Sequence, residues 1–229
     1  RSINPYRGCE HGCIYCFARP PHAYMGLSPG LDFESKLFAK PDAAKLLDKE
    51  LSKSGYEPRT IAIGTNTDPY QPIEKHYRIM REVLEVLEAR NHPVGIVTKS
   101  ALVTRDIDIL SRMAERGLAK VAMSITTLDR KLARSMEPRA ATPPKRLETL
   151  KQLSEAGIPV SVMVAPIIPG LNDSEIERIL DSAQAAGARE AGYVILRLPL
   201  EVAPIFKDWL LRHYPDRSRH VLSLVRSMR

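Results

Sequence analysis

At 229 residues, with 44% hydrophobic side chains, the chain is long enough to bury a core without disulfide staples and too apolar to be disordered. The cysteine count is odd, the opening Arg1-Ser2-Ile3-Asn4-Pro5 carries no apolar stretch after its charge, and no run of about 18 apolar residues occurs, which argues against a stapled secreted fold, a signal peptide and a membrane-spanning helix. The net charge of +7, from 34 basic and 27 acidic residues, favours phosphate-bearing partners through counterion release and equally suits a solvated surface.

The first expected strand, 2–6, runs into Gly8-Cys9-Glu10-His11-Gly12-Cys13-Ile14-Tyr15-Cys16-Phe17, which holds all three cysteines. Two glycines and no helix signal make this a loop, and a loop wrapped round a metal group needs glycine for positive φ and close backbone approach. The C-x3-C-x2-C spacing can hold a metal cluster. Iron–sulfur clusters normally take four thiolates, so three on a four-iron cube leave one iron open, and an open metal position is where a cofactor or substrate binds. Zinc is the competing assignment. It wants four Cys or His ligands, and His11 or His22 could supply the fourth, but no second ligand pair follows after a gap. Unrelated buried or reactive cysteines are the third alternative.

The pattern Gly-Cys-x-x-x-Cys-x-Tyr-Cys resembles the signature of radical S-adenosylmethionine (radical SAM) enzymes, where an aromatic residue commonly precedes the last cysteine, as Tyr15 does here. The opening Ser2-Ile3-Asn4-Pro5-Tyr6-Arg7-Gly8-Cys9 resembles more specifically the spore photoproduct lyase-related branch, and the likeness extends to about Arg197. The resemblance implies a [4Fe-4S] cluster on Cys9, Cys13 and Cys16, with S-adenosylmethionine on the open iron. One electron would cleave the sulfonium, and the 5′-deoxyadenosyl radical would abstract hydrogen from a substrate the motif does not select. It implies an electron donor such as flavodoxin or ferredoxin, and it makes Tyr15 a candidate cofactor contact. An oxygen-sensitive cluster and unpaired thiols suit a reducing cytoplasm.

Helical spacing then appears at 43–52, followed by a strand at 60–64. That strand ends in Thr65-Asn66-Thr67-Asp68-Pro69, which resembles the radical SAM segment that meets the cofactor's amino group. Its hydroxyls, amide and carboxylate are the acceptors an ammonium wants, though Asp-Pro punctuation also makes an ordinary turn. A helix at 78–87 leads to a strand at 94–98 and then to Lys99. By resemblance Lys99 contacts the cofactor, and a rim lysine can neutralise a carboxylate; a plain surface lysine is the alternative. A helix at 104–116 precedes a strand at 120–125. Ser124 matches a position that meets S-adenosylmethionine in related enzymes, and Thr126 shares its face by the period of two; either hydroxyl could instead be satisfied by backbone. Glu137 and Arg139 pair with each other or face the cavity, and a guanidinium there could bind a carboxylate. A helix at 144–156, a strand at 159–164 and a rigid Pro-Gly-Leu-Asn turn at 169–172 follow, the turn packing on adenine or serving only architecture. Asn172 opens a further helix, Gly157 and Gly187 sit where C-terminal caps belong, and 192–196 is the last strand. Arg212, Arg217, Arg219, Arg226 and Arg229 crowd the end beside Asp216, the best local candidate for a nucleic-acid contact.

Strand–helix alternation predicts parallel sheet with helices outside. Six units fit the length, a full eight-unit barrel needs about 250 residues, and the resemblance implies a partial, open (β/α)6 barrel. A doubly wound sheet is the alternative, with no G-x-G-x-x-G or P-loop to support it. In both, ligands sit at the carboxyl ends of the strands, where the cysteine loop falls. With no initiator methionine, 1–229 is expected to be one core domain cut from a slightly longer protein. No cysteine is left for the extra hydrogen donor that spore photoproduct lyase uses; Tyr15, Tyr70 and Tyr193 are the remaining candidates. The competing function is a non-enzymatic iron–sulfur or zinc module acting as a basic nucleic-acid adaptor.

Overall fold

The computed structural model describes residues 1–227; Arg229 lies outside them. Eight strands occur in chain order: β1 (Ser2–Ile3), β2 (Tyr6–Arg7), β3 (Phe38–Ala39), β4 (Ile61–Ile63), β5 (Val94–Thr98), β6 (Ala119–Ser124), β7 (Val160–Ile167) and β8 (Glu190–Ile195). Six of them form one parallel sheet in the order β1-β4-β5-β6-β7-β8. The spatial order repeats the chain order without a reversal, which is barrel winding and not the doubly wound alternative. β1 and β8 do not pair, so the barrel is open.

The expected first strand breaks in two. Ser2–Ile3 joins the main sheet beside β4, while Tyr6–Arg7 pairs antiparallel with Phe38–Ala39. Pro5 between them has no N–H for a ladder, and its carbonyl accepts instead from the Lys40 N–H.

The strands read as apolar runs because one face packs on helices. Ile61, Ile63, Val94, Ile96, Val121, Met123, Val160, Val162 and Val164 are all buried in one large core. Against them lies the helix Ile79–Ala89, whose Ile79, Met80, Val83, Leu84 and Leu87 recur at helical spacing and are fully buried. Each such side chain contributes roughly 1.5–3 kcal/mol. By the period of two, the opposite face of the sheet carries the small residues Ala62, Gly95, Ala122 and Ser161 together with Val97, Lys120 and Met163.

The helices Ala43–Leu51 and Pro143–Glu155 fall where periodicity expects them. The segment 104–116 divides into a 3-10 turn, Ala101–Asp106, and a helix, Ile107–Glu115. Asn172 precedes a 3-10 turn, Asp173–Glu175, before the helix Ile176–Ala185. Gly157 and Gly187 follow their helices with φ of 76° and 100°, as C-terminal caps do. Two helices at the end, Ala203–His213 and Pro215–Ser227, build a second core with the loops at the carboxyl ends of β6, β7 and β8. No helix of the described residues is long and apolar enough to cross a membrane.

Candidate active site

The cysteine loop leaves β2 at the carboxyl-end rim of the barrel and is held there from several sides. Gly8 has φ of 78°, and a Cβ there would stand 2.9 Å from the Phe33 carbonyl oxygen, so only glycine admits the turn. The Cys9 N–H then donates to that same Phe33 oxygen at 2.9 Å. Gln71 grips the loop with both ends of its amide: Nε2 donates to the Gly8 carbonyl at 3.0 Å, and Oε1 accepts from the Glu10 N–H at 2.9 Å. Fully buried Arg19 donates through Nε and Nη2 to the Cys13 carbonyl at 3.1 and 2.8 Å, and Nη2 also pairs with Glu34 at 2.7 Å. On the far side the Ile14 N–H donates to the Met136 carbonyl at 3.0 Å.

Cys9 and Cys13 are buried, at 6% and 8% exposure, Cys16 is half-buried, and all three thiols are free. Burial pushes each thiol up, Cys13 to about 12, and the negative charges of Glu137 and Cys16 add to the shift on Cys13. Cys9 is raised further by the charges of Asp68 and of the other two thiols. Three buried thiols that disfavour one another's ionisation, on a loop with its backbone already bonded, fit a cationic cluster that would take them as thiolates. They fit zinc less well. His22 spends Nε2 on the Lys36 carbonyl and packs its ring on Phe33. His11 turns Nδ1 toward Asp68 at 3.4 Å.

The strand-end residues meet at the same rim with different fates. At the end of β4, Gly64 has φ of 86° because a Cβ would strike the Val97 oxygen at 2.0 Å, and the chain turns there toward the cysteine loop. Thr67 and Asp68 are spent on architecture. Thr67 Oγ1 donates to the Tyr6 carbonyl at 2.9 Å. The Asp68 carboxylate accepts from Thr98 Oγ1 and the Lys99 N–H, both at 2.7 Å, and from the Tyr70 N–H at 2.9 Å. Thr65 is exposed and Asn66 half-buried, leaving these two as the open acceptors of the segment. Lys99 is half-buried and its Nζ stands 5.8 Å from the centre of the Tyr15 ring. Among the described residues it has no carboxylate partner, while its charge reaches Cys13, Cys16 and Glu137.

Ser124 donates to the Ala165 carbonyl at 3.2 Å, so the backbone satisfies it, whereas Thr126 Oγ1, with one hydrogen to give, lies 2.6 Å from Glu137 Oε1 and 3.1 Å from the Ala165 oxygen. The carboxylate is the nearer acceptor for Thr126, and Tyr15 OH donates to it as well. Glu137 is buried and paired with Arg146, itself buried in the helix Pro143–Glu155. Burial would raise the Glu137 carboxyl, but Arg146, Lys99 and the hydrogen bonds outweigh it and bring it down to about 2. Arg139 is a correction to the sequence expectation: it neither pairs with Glu137 nor faces the cavity. It lies exposed on the outside of the cysteine loop, donating to the Glu10 carbonyl and to Glu34 at 2.9 Å, and lines an outer groove of ≈ 500 Å³. The 169–172 turn is architectural: Asn172 bonds the carbonyls of Thr126 and Pro166 at 2.7 and 3.0 Å and accepts from the Ile168 N–H.

Sequence reasoning missed Gln71, Arg19 and Arg146. Gln71 sits in a Pro-Tyr-Gln-Pro stretch with no periodic signal. Arg19 and Arg146 look like surface arginines until the fold buries them.

Comparison with known proteins agrees with this geometry. An uncharacterised protein of Mycobacterium tuberculosis is 37% identical over 217 residues, covering 94% of this chain and 64% of that protein, so the chain spans somewhat under two thirds of that relative. A spore photoproduct lyase mutant with bound AdoMet and dinucleoside spore photoproduct superimposes with a TM-score of 0.67 at 18% identity, covering 94% of this chain and 61% of that one. SuiB of Streptococcus suis, bound to precursor peptide SuiA, gives a TM-score of 0.62 at 18% identity, covering 86% and 39%. Two such different ligands on one architecture mean that the fold leaves the substrate class open. The family model described as Radical SAM superfamily matches residues 3–183, and with three thiols at the rim of a six-stranded open barrel inside that span, the chain belongs to the radical SAM superfamily of enzymes.

Proposed function

We propose that Cys9, Cys13 and Cys16 hold a [4Fe-4S] cluster and that the barrel mouth binds S-adenosylmethionine against it, for hydrogen abstraction from a substrate admitted at the open side. When bound and reduced by a one-electron donor such as flavodoxin or ferredoxin, this pair supplies a 5′-deoxyadenosyl radical. The observation that carries the proposal is Lys99, an ammonium without a carboxylate partner among the described residues, held beside the buried thiols.

The chain's own side chains then have distinct tasks. Lys99 neutralises the carboxylate of the methionyl group as a compact charge. Thr65 and Asn66 are free to accept from its ammonium, and Asp68 braces the loops after β4 and β5 without being spent on the ligand. Tyr15 presents its ring to the site while Glu137 and Thr126 fix its hydroxyl. Ser124, bonded to Ala165, and Thr126, bonded to Glu137, can turn an acceptor lone pair to the ligand without losing their own donation. Burial of the thiols excludes water, which a radical site requires.

Anaerobic reconstitution tests the proposal. The expected result is four irons per chain, an electron paramagnetic signal altered by S-adenosylmethionine, and 5′-deoxyadenosine after reduction. A colourless zinc-loaded protein that releases no nucleoside would overturn it.

A further inference from the structure

We propose that the helices beside the barrel mouth form a docking surface for the phosphate backbone of a nucleic acid. Two segments distant in sequence build it. The helix Arg130–Met136 carries exposed Arg130, Lys131 and Arg134. The helices Ala203–His213 and Pro215–Ser227 carry exposed Lys207, Arg212, Arg217, Arg219 and Arg226. The fold joins them: Trp209 Nε1 donates to the Ser135 carbonyl at 3.0 Å, and Leu132 and Met136 share one buried cluster with Phe206, Leu210 and Val221.

Charge concentrates there. Over residues 130–136 and 203–227 the chain has eight lysines and arginines against two carboxylates, Asp208 and Asp216, a surplus of six out of a net +7 for the whole protein. Among the described residues none of the eight side chains is in an ion pair. Elsewhere in the chain Arg81, Arg90, Arg105, Arg112 and Arg116 are all paired with carboxylates. Neutralised arginines stabilise a fold; unpaired ones in a cluster raise a positive potential that attracts polyanions.

The surface begins at the active site. Met136 ends the first helix on the cysteine loop through the Ile14 N–H, and Gly170 of the rim turn lies against His220 of the last helix. Arg219 and Arg226, seven residues apart, lie on one helical face about 10.5 Å from each other along the axis. A strand seated there would lie across the rim and bring a nucleotide to the mouth. Phosphates are favoured over the other anionic partners by what the surface lacks. Phe206 and Trp209 are buried, and among the described residues of these helices Leu211 is the one large apolar side chain exposed; the exposed Tyr193, Val194, Ile195 and Leu200 lie on β8 and the segment after it, off the basic helices. A protein interface wants an aromatic or apolar centre, and a membrane-surface helix wants an apolar face to insert. Guanidinium groups alone suffice for phosphate contacts.

The inference does not depend on the radical chemistry, and its test separates the two. The full chain is titrated by fluorescence anisotropy with labelled duplex and single-stranded DNA and RNA across a salt series. The expected wild-type result is binding whose log K falls linearly with log salt. Arg219→Ala with Arg226→Ala should weaken duplex binding about tenfold or more and flatten the slope by about 1.8, the share of two phosphate contacts. Arg112→Ala, remote and paired with Glu88, should change neither. Circular dichroism and uncoupled S-adenosylmethionine cleavage by the double variant should match wild type. The proposal is overturned by absence of salt-dependent binding, by an unchanged slope in the double variant, or by polyglutamate or phosphatidylserine vesicles competing as well as the oligonucleotides do.

Discussion

Lys99 and Glu137 show how two charges at one rim acquire different roles. Lys99 has an aromatic ring nearby and, among the described residues, no counter-charge bonded to it, so its ammonium is available. Its replacement in Lys99→Gln should weaken S-adenosylmethionine binding about 10- to 100-fold, the worth of one charge-assisted contact, with iron content unchanged; equilibrium dialysis against the reconstituted protein checks this. Glu137 is saturated by Arg146, Thr126 and Tyr15. Its folded carboxyl titrates at about 2 against an ordinary 4.5. A depressed carboxylate stabilises fully above its ordinary value and loses that contribution as pH falls toward the folded one. Urea unfolding should therefore find wild type more stable than Glu137→Gln by about 3 kcal/mol near neutrality, the cost of stranding a buried arginine. The gap should narrow steadily below about pH 4.5. A gap independent of pH would mean that the carboxylate is not the group responsible. Lys99 is legible in the sequence because it follows a strand directly. Arg146 is not, because a lysine- and arginine-bearing amphipathic helix gives no sign of which cation turns inward.

At the scale of elements, the cysteine loop depends on side chains from outside itself. Gln71 lies in the turn after β4, and Glu74 close behind it anchors the strand that feeds the loop. Tyr6 OH donates to Glu74, which also accepts from the Met80 N–H and pairs with Arg105 at 2.6 Å. Gln71→Leu would strand the Gly8 carbonyl and the Glu10 N–H, each at about 1–3 kcal/mol. The expected outcome is faster iron loss to a chelator at unchanged helix content, measured by absorbance and circular dichroism. Iron retained at the wild-type rate would mean the glycine turns hold the loop without the amide. Helices with a continuous apolar stripe, such as Ile79–Ala89, are legible to within two residues at either end. The short pair β2 and β3 is not, since two-residue strands have no period to read.

The whole molecule has two cores with different duties. The larger, between the sheet and its outer helices, sets the barrel. The smaller joins the helices Ala203–His213 and Pro215–Ser227 to Leu132, Met136, Cys13 and Tyr15, so the cysteine loop packs on the end of the chain. Phe206→Ala should cost about 3–5 kcal/mol. It should lower hydrogen-exchange protection of residues 203–227 and iron retention together; loss of protection without loss of iron would separate the smaller core from the loop. Residues 1–16 and the apolar runs by themselves showed the C-x3-C-x2-C spacing and the alternation of strand and helix, because spacing and periodicity are local properties of a chain; that the barrel is open and six-stranded came from the family resemblance and is seen in the sheet order. Tertiary structure alone decided that Asp68 braces loops, that Arg139 pairs with Glu34, that Glu137 belongs to Arg146, and that the basic helix 130–136 packs on the arginine-bearing helices 203–227. Those pairings join residues dozens of positions apart in most cases, and which of several equivalent cations reaches a given carboxylate is set by packing and burial, on which local pattern is silent.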